Sequence, residues 1–390
     1  MNISERLKRL KPSATLTISA KAAELKAQGR EIINLSVGEP DFGTPAHVVE
    51  AAKKALDEGF TRYTPVPGIP ALREAVAGYF ERFYGVKAKA ENTIVSNGGK
   101  QVLYNLFAAL LNPSDEVLIP SPYWVSYPDM VSLFDAAPVA VPTRAEAGFL
   151  ASVADLDAAR TPRTRMLILN SPSNPTGAHY SQEAMLEIAE WAKARGVFIV
   201  ADEVYDRLVF APAKPATLSK WWEENQDHVA VAGALSKAMC MTGLRVGYAL
   251  AHPDLVKAMS KIQGQSTSNV CSVAQKAALA AFTGPWDSME AMNTAFARRR
   301  DLALSIIKTW PGVVCPRPDG AFYLFPVVGG LYTKDFPDSV ALCARLLEDA
   351  GVAAVPGAAF GDDRCIRLSY ALADEVLEAA LKKIGKVLVK

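Results

Sequence analysis

The residues best equipped for chemistry each sit at or just past the end of an apolar run. Lys237 follows HVAVAGAL (228–235) and Ser236, Asp202 ends VFIVAD (197–202), and Asn174 lies in SPSNPTG, directly after RMLILN (165–170). An amine at the end of a buried strand is partly stripped of water. That lowers its pKa and makes it a nucleophile toward carbonyl carbon, the requirement for a Schiff base. A carbonyl cofactor with a phosphate would also need an anion cradle and a group to manage a ring nitrogen. SNGGK (96–100) follows the run TIVS and precedes VLYNLFAALL, so Gly98, Gly99 and Lys100 open a helix whose N–H groups suit an anion. Arg245, in TGLRVG (242–247), opens another apolar run and can offer two nitrogens to the same anion. Taken singly, each has an ordinary structural reading as a helix cap, a tight turn or an ion pair. The combination is what points to a site.

The elements that must position these residues are legible as short apolar runs alternating with helical patterns. TIVS (93–96), EVLIP (116–120), PVAVP (138–142), RMLILN, VFIVAD, HVAVAGAL and VGYALA (246–251) read as strands. They are bare apolar runs rather than alternating ones, as expected of strands buried on both faces. MLEIAEWAKARG (185–196) has helical spacing and stops at Gly196. The expected fold is α/β: a large domain with a mostly parallel seven-stranded sheet between helices, and a smaller α+β domain. The chemistry should lie at the carboxyl ends of the parallel strands. Residues 46–290 form the large domain in this reading and 291–390 the small one, built on AFARRRDLALSIIKTW, GAFYLFPV, VALCARLLEDAG, VAAVP and IRLSYA. Residues 1–45, with a helix up to Gly29, the run IINLS and the turn VGEPDFGTP, are expected to pack with the small domain.

Composition narrows the function classes. Of 390 residues, 50% are hydrophobic and 21% charged, and 42 Lys plus Arg against 41 Asp plus Glu leave a net charge of +1. A chain of this kind folds around large cores and offers neither a basic tract for nucleic acid nor an acidic tail. The longest apolar stretch, around 321–332, contains Pro326, Gly329 and Gly330 and falls short of the roughly 18 residues of a spanning helix. Charges occupy the amino end where a secretory apolar region would sit. Cys240, Cys271, Cys315, Cys343 and Cys365 are dispersed and form no CxxC, which reads as reduced thiols in the cytoplasm. The four histidines form no HExxH, and no metal site is expected. A nicotinamide dehydrogenase would want GxGxxG after an early strand, and none occurs.

Tyr63-x4-Gly68, GGK at 98–100, SPYW at 121–124, NPTG at 174–177, Asp202-x-x-Tyr205, SK at 236–237 followed by TGLRVG, and RLSYA at 367–371 together resemble the fold type I pyridoxal-phosphate enzymes. Within that group the chain is similar to the class I aminotransferases, in particular the bacterial aspartate and prephenate aminotransferases, in the expected order from KPSAT (11–15) onward. The resemblance implies pyridoxal 5'-phosphate as cofactor, with Lys237 as its Schiff-base lysine and proton-transfer group. Asp202 would pair with the ring nitrogen, Asn174 and Tyr205 would bond the phenolic oxygen, and Trp124 would stack on the ring. Gly98, Gly99, Lys100, Ser236 and Arg245 would hold the phosphate, with Tyr63 arriving from a second subunit of a homodimer. Arg367 would bind the substrate α-carboxylate, assisted by Asn174 and the backbone of Gly38.

Two positions depart from the family's lysine signature: Ala234 stands where Ser or Gly is usual, and Cys240 where a small or aliphatic residue is usual. Neither removes a catalytic group. Lys100 looks like the lysine that receives a distal carboxylate in this branch, and Lys11 and Thr15 fall where prephenate-using relatives place a basic residue and a hydroxyl. The resemblance therefore implies transfer from aspartate or glutamate to 2-oxoglutarate, oxaloacetate or prephenate by a ping-pong mechanism. The alternatives are an aromatic or alanine-type aminotransferase and, on the same scaffold, a β-eliminating lyase.

Overall fold

The computed structural model describes every residue except 2, 11, 13, 389 and 390. Its strands in chain order are β1 (Ile33–Asn34), β2 (Thr93–Ser96), β3 (Glu116–Ser121), β4 (Ala137–Pro142), β5 (Thr164–Asn170), β6 (Phe198–Asp202), β7 (Val229–Ala234), β8 (Gly247–Leu250), β9 (Tyr323–Leu324), β10 (Val352–Ala353), β11 (Val355–Pro356) and β12 (Ile366–Ser369). β2 to β8 are the seven runs expected from the sequence, and they form one sheet in the order β2-β8-β7-β6-β5-β3-β4. β8 pairs antiparallel with both β2 and β7 and the other four pairings are parallel, so the sheet is mostly parallel, as expected.

The apolar runs are explained by burial on two faces. Along β5 and β6, Leu167, Leu169, Ile199 and Ala201 enter one core, while Met166, Ile168 and Val200 enter the core on the opposite side. Successive side chains of a strand point to opposite faces, so a sheet covered by helices on both sides needs an apolar residue at nearly every position. β4 is an edge strand, mostly exposed and carrying Pro138 and Pro142. Prolines there blunt an otherwise unpaired ladder.

The remaining strands form two small sheets, β1-β10 and β11-β12-β9. Ile33 pairs with Val352 and Asn34 with Ala353, so the amino-terminal segment is joined in parallel to the carboxyl-terminal part. The helix Ala14–Ala27 packs Ala22 and Leu25 against Leu347 and Ala353. Ahead of it, the short turn Glu5–Arg9 instead reaches the large sheet's layer, where Arg9 pairs with Asp135. The helix Asp287–Ile307 is continuous across residue 290, so the large and small parts share it rather than meeting at a linker. From this helix Arg299, 8% exposed, grips both carboxylate oxygens of Asp41 at 2.8 and 2.9 Å and reaches Asp374 at 3.2 Å. The turn after β1 is thereby pinned where it faces the ends of the large-sheet strands.

Candidate active site

β5, β6 and β7 end side by side, and the residues at their carboxyl ends open onto a cavity of about 300 Å3. From the opposite side the turn after β1 supplies Gly38 and Glu39, β9 supplies Tyr323 and β12 supplies Arg367. The cavity is thus closed between the large sheet and the small-sheet region.

Asp202 forms the floor. It is 6% exposed, and burial raises its carboxyl pKa to about 6, partly opposed by the Tyr127 hydroxyl and the Val204 N–H. Tyr127 donates to Oδ2 at 2.6 Å and Val204 N–H to Oδ1 at 3.3 Å. Tyr127 also packs edge-on against Trp124, with ring centroids 5.3 Å apart. Asn170, the last residue of β5, donates through Nδ2 to the Asp202 carbonyl at 2.9 Å and accepts the Asn174 N–H through Oδ1 at 3.0 Å. One side chain therefore ties the acid to the loop that carries Asn174.

Lys237 leaves the short helix Leu235–Ala238 that follows β7 directly. Burial brings its amine down to about 8, Glu39 opposes that shift, and Arg367 and Arg245 add to it. Nζ donates to the Gly38 carbonyl at 2.5 Å. Tyr205, fully buried behind it, shares a 2.9 Å hydrogen bond with Tyr323, and burial keeps its phenol protonated well above the usual range. An amine with its pKa near 8 has a usable neutral fraction at neutral pH, which both Schiff-base formation and proton transfer require.

Arg367 is 2% exposed and sits between the rings of Tyr323 and Phe360, at 4.7 and 5.0 Å from their centroids. It donates to Asn174 Oδ1 at 3.0 Å and to the Ser36 carbonyl at 2.6 Å. Its Nε is buried and has no partner among the described residues. A buried cation with spare donor capacity is set up to receive an anion. The carbonyl that Arg367 meets is that of Ser36, while the Gly38 carbonyl accepts from Lys237, and Gly38 lines the same cavity as Arg367.

The anion end of the cavity is built from backbone. Gly98 takes φ +85° and caps the helix Gly99–Leu110, whose free N–H groups face the cavity from Gly99 onward. Gly98 donates its own N–H to Ser96, and a Cβ on it would fall 2.4 Å from the Arg245 guanidinium, so it works as a spacer rather than a lining residue. Gly247 is pressed against the same loop: a Cβ there would lie 2.4 Å from the Gly98 carbonyl carbon and the Gly99 nitrogen. Arg245 is solvent-facing and anchored to the Thr242 carbonyl at 2.9 Å. Ser236 is buried beside it, while Ala234 lines the cavity next to Gly99 with no hydroxyl to offer. Lys100 stands at the mouth with its amine 4.9 Å over the Trp124 ring; burial of that amine, with Arg245 nearby, lowers its pKa.

Thr15, Gly38, Gly99, Lys100, Trp124, Asn174, Asp202, Tyr205, Ser236, Lys237, Arg245 and Arg367 all line this one cavity. Tyr63 does not; it is 91% exposed on the outside of the chain. Lys11 lies outside the described residues. Asn170, Tyr127, Glu39 and Tyr323, which no motif in the sequence singles out, also line the cavity.

The donor set fits pyridoxal phosphate. A helix start flanked by Arg245 and Ser236 suits a phosphate, a buried carboxylate suits a protonated ring nitrogen, a flanking indole suits a flat ring, and a desolvated amine suits an aldehyde.

Comparison with known proteins agrees. Residues 30–384 match the model of the family "Aminotransferase class I and II". An aspartate/prephenate aminotransferase of Cereibacter sphaeroides is 46% identical over 98% of this chain and 97% of its own length. An aspartate aminotransferase of Geobacillus stearothermophilus is 43% identical over 99% of this chain and 98% of its own length. The structure of Thermus thermophilus aspartate aminotransferase with maleate superposes with a TM-score of 0.94 at 42% identity, covering 99% of this chain and 100% of that one. The chain belongs to the class I and II aminotransferases and is a pyridoxal-phosphate-dependent enzyme of amino-group transfer.

Proposed function

We propose that the enzyme moves the amino group of a dicarboxylic amino acid, aspartate or glutamate, to 2-oxoglutarate or oxaloacetate, with prephenate as a further acceptor. The observation that carries this is the presence of two cations at different stations of one cavity: Arg367 buried between Tyr323 and Phe360, and Lys100 at the mouth over Trp124. One carboxylate needs one such station; a dicarboxylate uses both. The relative from Cereibacter named for aspartate and prephenate, and the Thermus relative solved with the dicarboxylate maleate, support the same reading.

Pyridoxal phosphate, when bound, supplies the electron sink that allows an amino-acid α C–H bond to break heterolytically. The rest is done by the chain. Lys237 Nζ would anchor the cofactor's aldehyde carbon in the resting enzyme and, once free, would be the base that moves the substrate α-proton. Asp202 would pair with the protonated ring nitrogen, with the Tyr127 hydroxyl and the Val204 N–H favouring its ionised form. Arg367 would fix the α-carboxylate and thereby orient the bond that breaks. Donor and acceptor use the same groups in turn, so the reaction is ping-pong. Tyr63, exposed on its own chain, completes the phosphate site of a second copy in a two-fold homodimer.

A donor panel tests the substrate reading. Aspartate and glutamate should exceed alanine in kcat/KM, and Lys100→Ala should cost aspartate roughly 1.5 to 3 kcal/mol while leaving alanine near its starting value. Equal losses for the two donors would remove Lys100 from the distal-carboxylate role.

A further inference from the structure

Tyr63 is the most exposed aromatic residue of the chain, yet the residues directly behind it are among the most firmly held. Two glutamines with no solvent exposure do the holding. Gln275 accepts the Ile69 N–H at 2.8 Å and donates to Thr64 Oγ1 and to the Val270 carbonyl, each at 2.8 Å. Gln263 donates to the Val66 carbonyl at 2.8 Å and to the Val95 carbonyl at 3.0 Å. Its Oε1 accepts from Ser96 at 2.6 Å and from Asn105 at 3.0 Å. Both amides use both of their N–H donors, which is what a buried amide needs to be tolerated. The turn is fastened further by the Val95 N–H to the Pro67 carbonyl at 2.9 Å.

A surface tyrosine needs no such scaffold for its own sake. A tyrosine that must enter another subunit's site does, because ordering its backbone beforehand removes that entropic cost from association. We propose that Gln263 and Gln275 are positioning residues that preset the Thr64–Ile69 turn, so that Tyr63 meets the phosphate group held by the other subunit. This rests on the reading of Tyr63 as a residue acting in trans. Gln263 adds a link in cis: its Oε1 is bonded to Ser96, the last residue of β2, two positions before Gly98. The amide that steadies the turn serving one site thus also steadies the loop of the other.

The test uses heterodimers in which one chain carries Lys237→Ala, so that only the other chain forms the lysine-bound cofactor absorbance. Gln275→Met is placed either on the Lys237→Ala chain, in trans to the intact lysine, or on the lysine-bearing chain, in cis. The readout is the cofactor dissociation constant at the intact site, from that absorbance on dilution. Tyr63→Phe in trans is the reference. Gln275→Met in trans should weaken binding by about tenfold, the equivalent of one hydrogen bond to a charged group, and several-fold more than in cis. Combining it with Tyr63→Phe on the same chain should add little. Thr64→Val, which removes only the Gln275 bond to the turn, is the milder variant should Gln275→Met not fold, and it should act in the same direction. Equal losses in cis and trans, or losses that simply add to those of Tyr63→Phe, would overturn the proposal. If Tyr63→Phe itself has no effect in trans, the shared-site reading fails and this inference falls with it.

Discussion

Lys237 is costly to keep where it is. Its folded pKa of about 8 lies below the ordinary value of 10.5, so the folded state binds the proton less tightly than the unfolded chain does. The penalty is fully present below pH 8 and is relieved as pH rises from about 8 toward 10.5. In the cofactor-free protein, Lys237→Met should therefore raise stability at pH 7 by about 2 to 3 kcal/mol, with the gain shrinking toward pH 10.5. Urea unfolding at several pH values checks this, and a gain independent of pH would assign the effect to packing instead. Tyr127 makes the complementary case at the floor. Its hydroxyl bond lowers an Asp202 pKa that burial has raised to about 6. Tyr127→Phe should let that carboxyl protonate at higher pH, weakening cofactor binding by about tenfold, with a loss that grows as pH falls from 7 to 6. A cofactor titration whose Tyr127→Phe defect is flat across that range would mean the bond serves packing only.

At the level of elements, the site exists because strand ends and one helix start are held in register. Gly247, the first residue of β8, touches the backbone of the Gly98–Gly99 loop so closely that any side chain must push it away. Gly247→Ala should cost about 1 to 3 kcal/mol of stability and also loosen cofactor binding. Gly243→Ala, which meets no atom within 4 Å, should do neither. Thermal unfolding with and without cofactor separates the two effects, and indifference at Gly247 would refute the contact. The large-sheet strands were legible because two-sided burial makes each an apolar run, and the site residues quoted from loops after those runs were legible for the same reason. What escaped was signalled by nothing local. Tyr127 sits between Ser126 and Pro128 in the helix Ser126–Leu133, where one tyrosine shows no pattern of its own, and Tyr323 sits in GAFYLFPV, where an aromatic residue reads as core. Asn170 reads as the polar end of a strand until the fold sets it beside Asp202 and Asn174. The small-domain strands β9, β10 and β11 are two residues long, too short for any period to appear.

Across the whole molecule, the same limit applies to the clamp that joins the amino-terminal turn to the carboxyl-terminal part. Arg299 meets Asp41 and Asp374, partners 258 and 75 positions away, and the run RRRD in the sequence gives no hint of either. Asp374 also takes a two-pronged contact from Arg298 at 2.7 and 2.9 Å, and the arginines bring its carboxyl down to about 2. A depressed carboxylate pKa contributes stability above its ordinary value of 3.8 and loses it as pH falls through about 2. Asp374→Asn should thus lower stability near pH 7 by about 1 kcal/mol, since the group is partly open to solvent, and the difference should narrow below pH 4. A constant difference would show that charge is not what the clamp uses.

As a whole, the enzyme passes an amino group through one site in two halves, and the dicarboxylic donor is the part of that reading open to test. The most direct measurement adds aspartate alone, with no acceptor, to the cofactor-loaded protein and follows absorbance and product together. The expected outcome is complete loss of the lysine-bound cofactor band, one equivalent of oxaloacetate per active site, no ammonia, and return of the band when 2-oxoglutarate is added. Continued release of ammonia or of a decarboxylated amine without any acceptor, or a band that alanine discharges as readily as aspartate, would contradict it.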